Sequence, residues 1–299
     1  MAGLVTRVVF VGASKKPSFV TETCPLPTII DLVDGEVLLK IRLATICTAD
    51  LDTLDGKWTK PIPSVMGHEG VGEVLVSKRL DLVLGDRVVF STGSACESCV
   101  VCRRNLPVPC ATGIQYGHGA LLSSPAKLSG TLASHLILRK GTHVIKIPPH
   151  VKDTVACTVN CPLSTMVNVV DTALSRLNGC GEKKIAVIQG INIFAIYGCL
   201  LLKEVAGFNE VYLTDQSMEQ QKLATLFGGI PSFDRKGISG SNKQHLDMAV
   251  EFLSKLCLEY PLEELISPKF SLHDLPSAIK TARGELYCRV AVTTEGLRT

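Results

Sequence analysis

The chain has 299 residues, of which 46% are hydrophobic, and its formal net charge is +3. That length accommodates one large or two ordinary domains with buried cores. No run of basic residues exceeds a pair, so neither nucleic acid nor an acidic membrane is indicated as a partner.

The N-terminal stretch MAGLVTRVVFVGASKKPSF alternates in polarity and predicts a strand, not a signal peptide. We therefore expect a reducing, cytoplasmic setting. In that setting the twelve cysteines argue against a disulfide framework and favour metal binding, catalysis or simple burial.

Residues 1–150 are rich in short β-branched runs separated by Gly and Pro, which predicts an antiparallel, barrel-like β domain. From about residue 163 the pattern changes to helix, strand, helix, strand, helix, carried by MVNVVDTALSRLNG, KKIAVIQG, FAIYGCLLLKEVAG, EVYLTD and SMEQQKLATLFGG. This order is the opening of a doubly wound parallel sheet. Two further helices are predicted in the C-terminal tail.

The segment 185–202, IAVIQGINIFAIYGCLLL, is uncharged and about as long as the shortest transmembrane helix. Gln189, Gly190, Asn192 and Gly198 interrupt it. We therefore favour a buried strand, a turn and an apolar helix over a membrane span.

Four cysteines lie within the sixteen residues ACESCVVCRRNLPVPC: Cys96, Cys99, Cys102 and Cys110. Disulfides, unrelated buried thiols and a metal site are the alternatives. Because the loop is polar and thiols there are reactive, we favour four thiolates around a structural zinc. A nucleic-acid-binding zinc knuckle is disfavoured, since the loop continues from the strand GDRVVF.

A sparser set of metal ligands comprises Cys47, His68 and Cys161, with Glu69 beside the histidine. Taken singly, each has an ordinary structural explanation, because a buried cysteine behaves as a small hydrophobe. Together they offer two thiolates and an imidazole, and three protein ligands with an open position is the pattern of catalytic zinc.

These pieces occur in one order along the chain: Cys47, GHE at 67–69, DLVLGDRV at 81–88, the four-cysteine loop and then Cys161. In this the chain resembles the zinc-dependent medium-chain alcohol dehydrogenases. The stretches IQYGHGALLSSPAKLSG and NCPLST are most similar to a branch of that family associated with phosphonate catabolism.

The resemblance implies an α/β protein with a GroES-like β-rich domain and a Rossmann-type region. It implies a catalytic zinc on Cys47, His68 and Cys161 that polarises an alcohol or carbonyl oxygen for hydride exchange with NAD. Glu69 would be a nearby carboxylate or an intermittent ligand, and Asp50 would orient His68. Without a metal, both acids are better explained as solvated surface residues.

Two motifs depart from the family pattern. The first ligand is followed by Thr48, Ala49 and Asp50, so Ala49 stands where the family's proton relay has a Ser or Thr hydroxyl. Unless Thr48 or a water takes over that role, deprotonation of a bound alcohol should suffer. The glycine fingerprint keeps only Gly190, with Asn192 at the second glycine position.

Asp215, 25 residues beyond Gly190, suits the ribose hydroxyls of NAD, and a cap for the following helix is an equal alternative.

The segment that follows Asp215 is also shorter than a complete doubly wound sheet requires. It resembles the family's C-terminal segment again by Lys243, whereas one βαβ unit takes about 30 residues. We therefore predict that half of the Rossmann domain is missing. The predicted division is a catalytic domain over 1–162, a truncated NAD-binding region over 163–236 and a returning segment over 237–299.

Two functions remain open. The first is an oxidoreductase acting on a small-molecule alcohol or carbonyl, with two zinc ions per chain and weak binding of NAD. The second is a catalytically silent zinc protein with a binding or regulatory role. A homo-oligomer is compatible with either.

Overall fold

The computed structural model describes residues 3–58, 61–106, 109–118, 128–176, 184–215, 217–232, 243–284 and 289–294. The chain divides into two compact units. The first unit comprises residues 1–160 and 262–299, and the second comprises residues 161–261.

The first unit is built mainly from strands, which we label β1 to β8 in chain order: β1 Leu4–Phe10, β2 Phe19–Pro25, β3 Val37–Thr45, β4 Ser64–Val65, β5 Glu69–Ser77, β6 Arg87–Ser94, β7 His135–Leu138 and β8 Thr142–Lys146. Its short helices are α1 Thr48–Leu54, α2 Val100–Arg103 and α3 Asp153–Ala156. After residue 261 the chain adds β12 Ile266–Ser271, α8 Leu275–Ala282 and β13 Arg289–Thr293.

These strands form two sheets. The larger follows the order β12-β13-β3-β5-β6-β8, with β7 also paired to β3, and the smaller has the order β2-β1-β4. The predicted antiparallel pairing is present in β1 with β2, β3 with β5 and β6 with β8, whereas β12 and β13 are parallel. Inward-facing apolar side chains such as Leu39, Phe90 and Leu136 are fully buried in one core cluster.

The second unit contains α4 Ser164–Arg176, β9 Ile185–Gln189, α5 Ile193–Leu200, β10 Glu210–Thr214, α6 Met218–Leu226, β11 Ile230–Ser232 and α7 Lys243–Leu256. Its three strands are parallel in the order β11-β10-β9. This confirms the predicted alternation of strand and helix. It also confirms the α/β fold class with a β-rich N-terminal domain and a Rossmann-like sheet.

The segment 185–202 is not one long helix. It forms β9, a turn at Gly190 and then α5, which a short π-helical turn at Leu201–Val205 continues. Across the described ranges, no helix has both the length and the apolar composition needed to cross a membrane.

The compact units differ from the division made on sequence. Helix α7 packs on α4 within the second unit, whereas the sequence placed residues from 237 onward in a returning segment. The predicted boundary at residues 236 and 237 lies outside the described residues. The domain division remains a prediction.

Candidate metal centres

The four-cysteine loop leaves the end of β6 and is fixed by backbone bonds at its base. Ser94 N donates to Ile114 O at 2.8 Å, and Ala95 N donates to Gly141 O at 3.0 Å. These bonds fix both ends of the loop against the first unit. The thiol atoms of all four cysteines then lie within 4.8 Å of one another.

The thiols face one another with the spacing that a tetrahedral metal requires. Zinc–sulfur bonds of about 2.3 Å place tetrahedral sulfurs about 3.8 Å apart. Cys96 Sγ and Cys102 Sγ are separated by 3.9 Å. The donor set therefore fits a closed zinc site without rearrangement of this pair.

Backbone amides of the loop already point at the sulfurs. Cys99 N donates to Cys96 Sγ at 3.3 Å, and Cys102 N donates to Cys99 Sγ at 3.5 Å. Glu97 adopts a φ of 59°, a left-handed conformation that costs a non-glycine residue free energy. Such a turn persists only where its surroundings require it, and here it brings Cys96 and Cys99 together.

The thiols are electrostatically unequal. Hydrogen bonds from Ser98 and Thr112 lower the pKa of Cys96 to about 5, whereas burial raises the pKa of Cys102 to about 11. Close thiols divide their protons in this way because they cannot all ionise together. Bound zinc needs thiolates, so its binding would release the retained protons.

The second centre begins at Cys47, which is the N-cap residue of α1. Asp50 accepts a hydrogen bond from Cys47 N through Oδ2 at 2.9 Å and so fixes the first turn of the helix. Cys47 and Asp50 are both buried. Thr48 is exposed at the start of α1, and Ala49 brings no hydroxyl.

His68 and Glu69 lie where the chain enters β5. Both residues are buried, and His68 Nε2 is 4.0 Å from Glu69 Oε1. Burial opposes protonation of His68, but the charges of Asp50 and Cys47 outweigh it and raise its pKa well above the usual value. Burial raises the pKa of Glu69 to about 7 despite the opposing charge of Arg289.

Cys161 follows Asn160 in the helical turn Val159–Leu163. Asn160 is buried, and it accepts from Gly70 N at 3.1 Å and donates to Phe90 O at 2.8 Å. Because Asn160 is fixed in this way, the position of the next residue is constrained. The ligand atoms of Cys47, His68, Glu69 and Cys161 lie within 4.8 Å of one another.

Arg289, on β13, is a site residue that the sequence analysis did not identify. Its Nε donates to Glu69 Oε2 at 3.1 Å, and its Nη2 donates to Cys47 Sγ at 3.5 Å. Thr45 Oγ1 donates to the same Glu69 oxygen at 2.6 Å. Glu69 is thus held by two donors, which explains how a fully buried carboxylate is accommodated.

His118 is a second such residue. Its Nε2 lies 2.8 Å from His68 Nδ1 and 3.7 Å from Asp50 Oδ1. The signal in the sequence was a repeated Gly-His dipeptide at 67–68 and 117–118.

The predicted cofactor residues lie at the end of β9 and β10. Gly190 has a φ of +84°. Asn192 is the N-cap of α5, and its Oδ1 accepts from Ala195 N at 3.1 Å. Asp215 accepts from Ile191 N through Oδ2 and from Ser217 N through Oδ1, each at 3.0 Å. Both carboxylate oxygens therefore already accept backbone hydrogen bonds.

Comparison with known proteins agrees with this arrangement. Residues 33–149 match the alcohol dehydrogenase GroES-like domain. The chain is 28% identical over 201 residues to L-threonine 3-dehydrogenase of Francisella philomiragia, an alignment covering 65% of this chain and 52% of the relative. The chain spans about half the length of the curated relatives it matches.

Solved structures share the fold. An alcohol dehydrogenase from Thermotoga maritima has a TM-score of 0.85 at 19% identity, covering 97% of this chain and 99% of that one. A zinc-binding dehydrogenase from Sinorhizobium meliloti bound to NADP has a TM-score of 0.78 at 15% identity, covering 97% and 99%.

Fold and sequence together define an α/β protein with a GroES-like domain and a Rossmann-like sheet. Residues 33–149 thus match the domain of alcohol dehydrogenases, and the chain as a whole shares the fold of these enzymes.

Proposed function

We propose that the chain is a zinc-dependent oxidoreductase of the alcohol dehydrogenase type, which exchanges hydride between a small alcohol or carbonyl and NAD(H). The observation that carries this proposal is the buried cluster of Cys47, His68, Glu69 and Cys161, whose ligand atoms lie within 4.8 Å of one another. Two thiols and an imidazole with an adjacent carboxylate are the donor set of a catalytic zinc.

The donors divide into two independent metal sites. Cys47, His68 and Cys161 would hold the catalytic ion, and the four-cysteine loop would hold the structural one. A bound zinc at the first site supplies Lewis acidity toward the substrate oxygen. The buried Asp50 Oδ1 accepts no hydrogen bond and lies 3.6 Å from His68 Nδ1, so its charge supports a cationic occupant at this centre.

The surrounding residues set the charge of the centre. Arg289 lies against both Glu69 and Cys47, so its guanidinium stabilises a carboxylate and a thiolate in a buried environment. Arg289 and Thr45 hold Glu69 beside His68.

Proton release from the substrate lacks its usual first acceptor, because Ala49 carries no hydroxyl. Thr48, the neighbouring hydroxyl, is exposed. We therefore expect the substrate oxygen to exchange its proton with water, and both alcohol oxidation and carbonyl reduction to be slowed.

The residues at the ends of β9 and β10 are poorly suited to binding NAD(H). A pyrophosphate binds at a helix N-terminus where the backbone approaches closely, and Asn192 already caps that end of α5. Asp215 uses both carboxylate oxygens for backbone bonds.

A second candidate function is that of a catalytically silent zinc protein with a binding role. The same two observations, at Asn192 and Asp215, favour it. Both functions require the two metals and differ only in the use of the cofactor.

One experiment separates them: zinc-replete protein is assayed with NADH and small aldehydes or ketones, and zinc is counted in the same sample. Two zinc ions per chain with measurable turnover supports the oxidoreductase. Two zinc ions without turnover supports the silent protein. A single zinc would remove the catalytic centre from the proposal.

A further inference from the structure

His68 has a closer partner than the carboxylate expected to orient it. His118 Nε2 is 2.8 Å from His68 Nδ1, whereas Asp50 Oδ1 is 3.6 Å from the same nitrogen. Only the shorter of these is a hydrogen bond. The other oxygen of Asp50 is bonded to Cys47 N. Asp50 therefore influences His68 through its charge, whereas His118 forms a hydrogen bond with His68.

The backbone brings the two histidines together through paired glycines. Gly67 and Gly117 precede the two histidines and have φ values of +89° and +73°. A Cβ on Gly117 would lie 2.4 Å from Gly67 O, so the two chain segments approach more closely than any side chain allows. The contact between the imidazoles is thus built into the fold.

The chemistry of the metal centre decides which nitrogen carries the proton. His68 Nε2 is the nitrogen on the side of Glu69, 4.0 Å from its Oε1. If Nε2 is to bind a metal as a neutral imidazole, Nδ1 must hold the proton and donate it to an acceptor. The acceptor within hydrogen-bond distance is His118 Nε2.

We propose that His118 is a positioning residue of the metal centre, accepting the Nδ1 proton of His68 and holding His68 in the tautomer that leaves Nε2 available for zinc. This role rests on the proposed function, because it presumes that His68 is a ligand. Asp50 stabilises the pair from 3.6 and 3.7 Å, since its buried Oδ1 faces both rings.

The test compares two amides at position 118 in the full-length chain. The amide group of glutamine reaches about as far as Nε2, so His118→Gln keeps an acceptor for His68. Asparagine is shorter and reaches only the position of Nδ1, so His118→Asn is the matched polar control. Zinc affinity at each centre is measured by competition with a chromophoric chelator.

We expect His118→Asn to weaken the second zinc by about 10- to 100-fold, the usual effect of losing a ligand's hydrogen-bond partner. His118→Gln should restore affinity to within a few-fold of wild type, and the zinc of the cysteine loop should be unchanged in both. Wild-type affinity in His118→Asn, equal weakening in both variants, or loss of both metals would each overturn the proposal.

Failure of the proposed function gives a different result. If the wild-type chain binds zinc only at the cysteine loop, His68 is not a ligand and the proposed function fails together with the role of His118. If the wild type binds two zinc ions and His118→Asn leaves both unchanged, only the role of His118 is removed.

Discussion

At the scale of single residues, the second metal centre depends on side chains from distant parts of the chain. Glu69 lies between Thr45 on β3 and Arg289 on β13, and both donate to its Oε2. A buried carboxylate without these donors would be costly. The centre is therefore held by the packing of the β domain rather than by any one loop.

The first prediction concerns the ligand His68. His68→Ala should lower the zinc content from two ions per chain to one, because it removes one donor of the second centre and leaves the cysteine loop intact. Inductively coupled plasma mass spectrometry of the purified variant measures this directly. His273→Ala, a change at an exposed histidine, is the control and should retain both ions. Equal loss of both metals in His68→Ala would mean that the two centres are not independent.

The second prediction concerns His135, which lies on β7 opposite Lys40. Burial and the charge of Lys40 lower the pKa of His135 to about 4. An unfolded histidine binds a proton near pH 6.5, so between about pH 6.5 and 4 the unfolded state binds more protons than the folded one. The contribution of His135 to the free energy of unfolding should therefore be fully present above pH 6.5 and decrease as the pH falls toward 4.

The measurement is urea unfolding of wild type and His135→Gln between pH 7.5 and 4.5. The difference in unfolding free energy between the two proteins should shift in favour of the variant at the acidic end, because glutamine does not titrate. A difference that stays constant with pH would show that His135 has an ordinary pKa.

At the scale of elements, the cysteine loop is a unit whose conformation depends on the thiols. Cys99 is the N-cap of α2, and its Sγ accepts from Cys102 N at 3.5 Å. The loop offers little apolar burial of its own, since its four cysteines are only partly buried. We therefore expect its order to depend mainly on a bound metal.

The third prediction is that Cys99→Ala destabilises the fold, because structural zinc contributes folding free energy directly. We expect a loss on the order of 3 kcal/mol, at the upper end of the usual range for single substitutions, because loss of a metal is among the causes of large destabilisation. New protease cleavage should appear between residues 95 and 110. Cys24→Ala, which removes a partly buried cysteine of β2 outside both centres, is the control. An unchanged melting temperature and digestion pattern would show that the loop metal is not structural.

The sequence predicts those features whose signal is local. The four cysteines lie close together in the chain, and β9, α5 and β10 each have a clear periodicity and end at glycine or a polar residue. Arg289, His118 and Asn160 could not be predicted in the same way, because each reaches the metal centre through sheet pairing or glycine contacts across 50 to 220 residues. Arg289 lies in no motif, and the motifs that contain His118 and Asn160 do not reveal which groups these side chains contact.

At the scale of the whole molecule, the described strands of the second unit form a three-stranded parallel sheet. Its described strands have the order β11-β10-β9, and Ile185 and Val187 of β9 are 50% and 65% exposed. A strand inside a complete sheet of this kind is covered on both faces. Only ten residues separate Ser232 from Lys243, whereas a βαβ unit takes about 30. The missing half-sheet remains our prediction, and these exposures support it.

The last prediction follows from the predicted loss of a half-sheet: the chain should bind NADH much more weakly than dehydrogenases with a complete sheet, and its turnover should be correspondingly low. A dinucleotide lies across the point where the strand order of two half-sheets reverses, so one half offers only the adenosine side of the site. Alignment of the reacting carbons at about 3 to 3.5 Å can supply about 7 to 11 kcal/mol of barrier reduction, which zinc alone does not replace.

The variant Asn192→Gly separates the two causes of weak binding. It uncovers Ala195 N at the start of α5 and costs only a few tenths of a kcal/mol of helix stability. We expect it to improve NADH affinity by a measurable factor while leaving the dissociation constant well above the low micromolar range, because the half-sheet is unchanged. The titration follows NADH fluorescence in zinc-replete protein, with the wild type as reference. Saturation of the wild type at low micromolar NADH, together with reduction of simple aldehydes, would contradict this prediction and show that the nicotinamide is positioned without the second half-sheet.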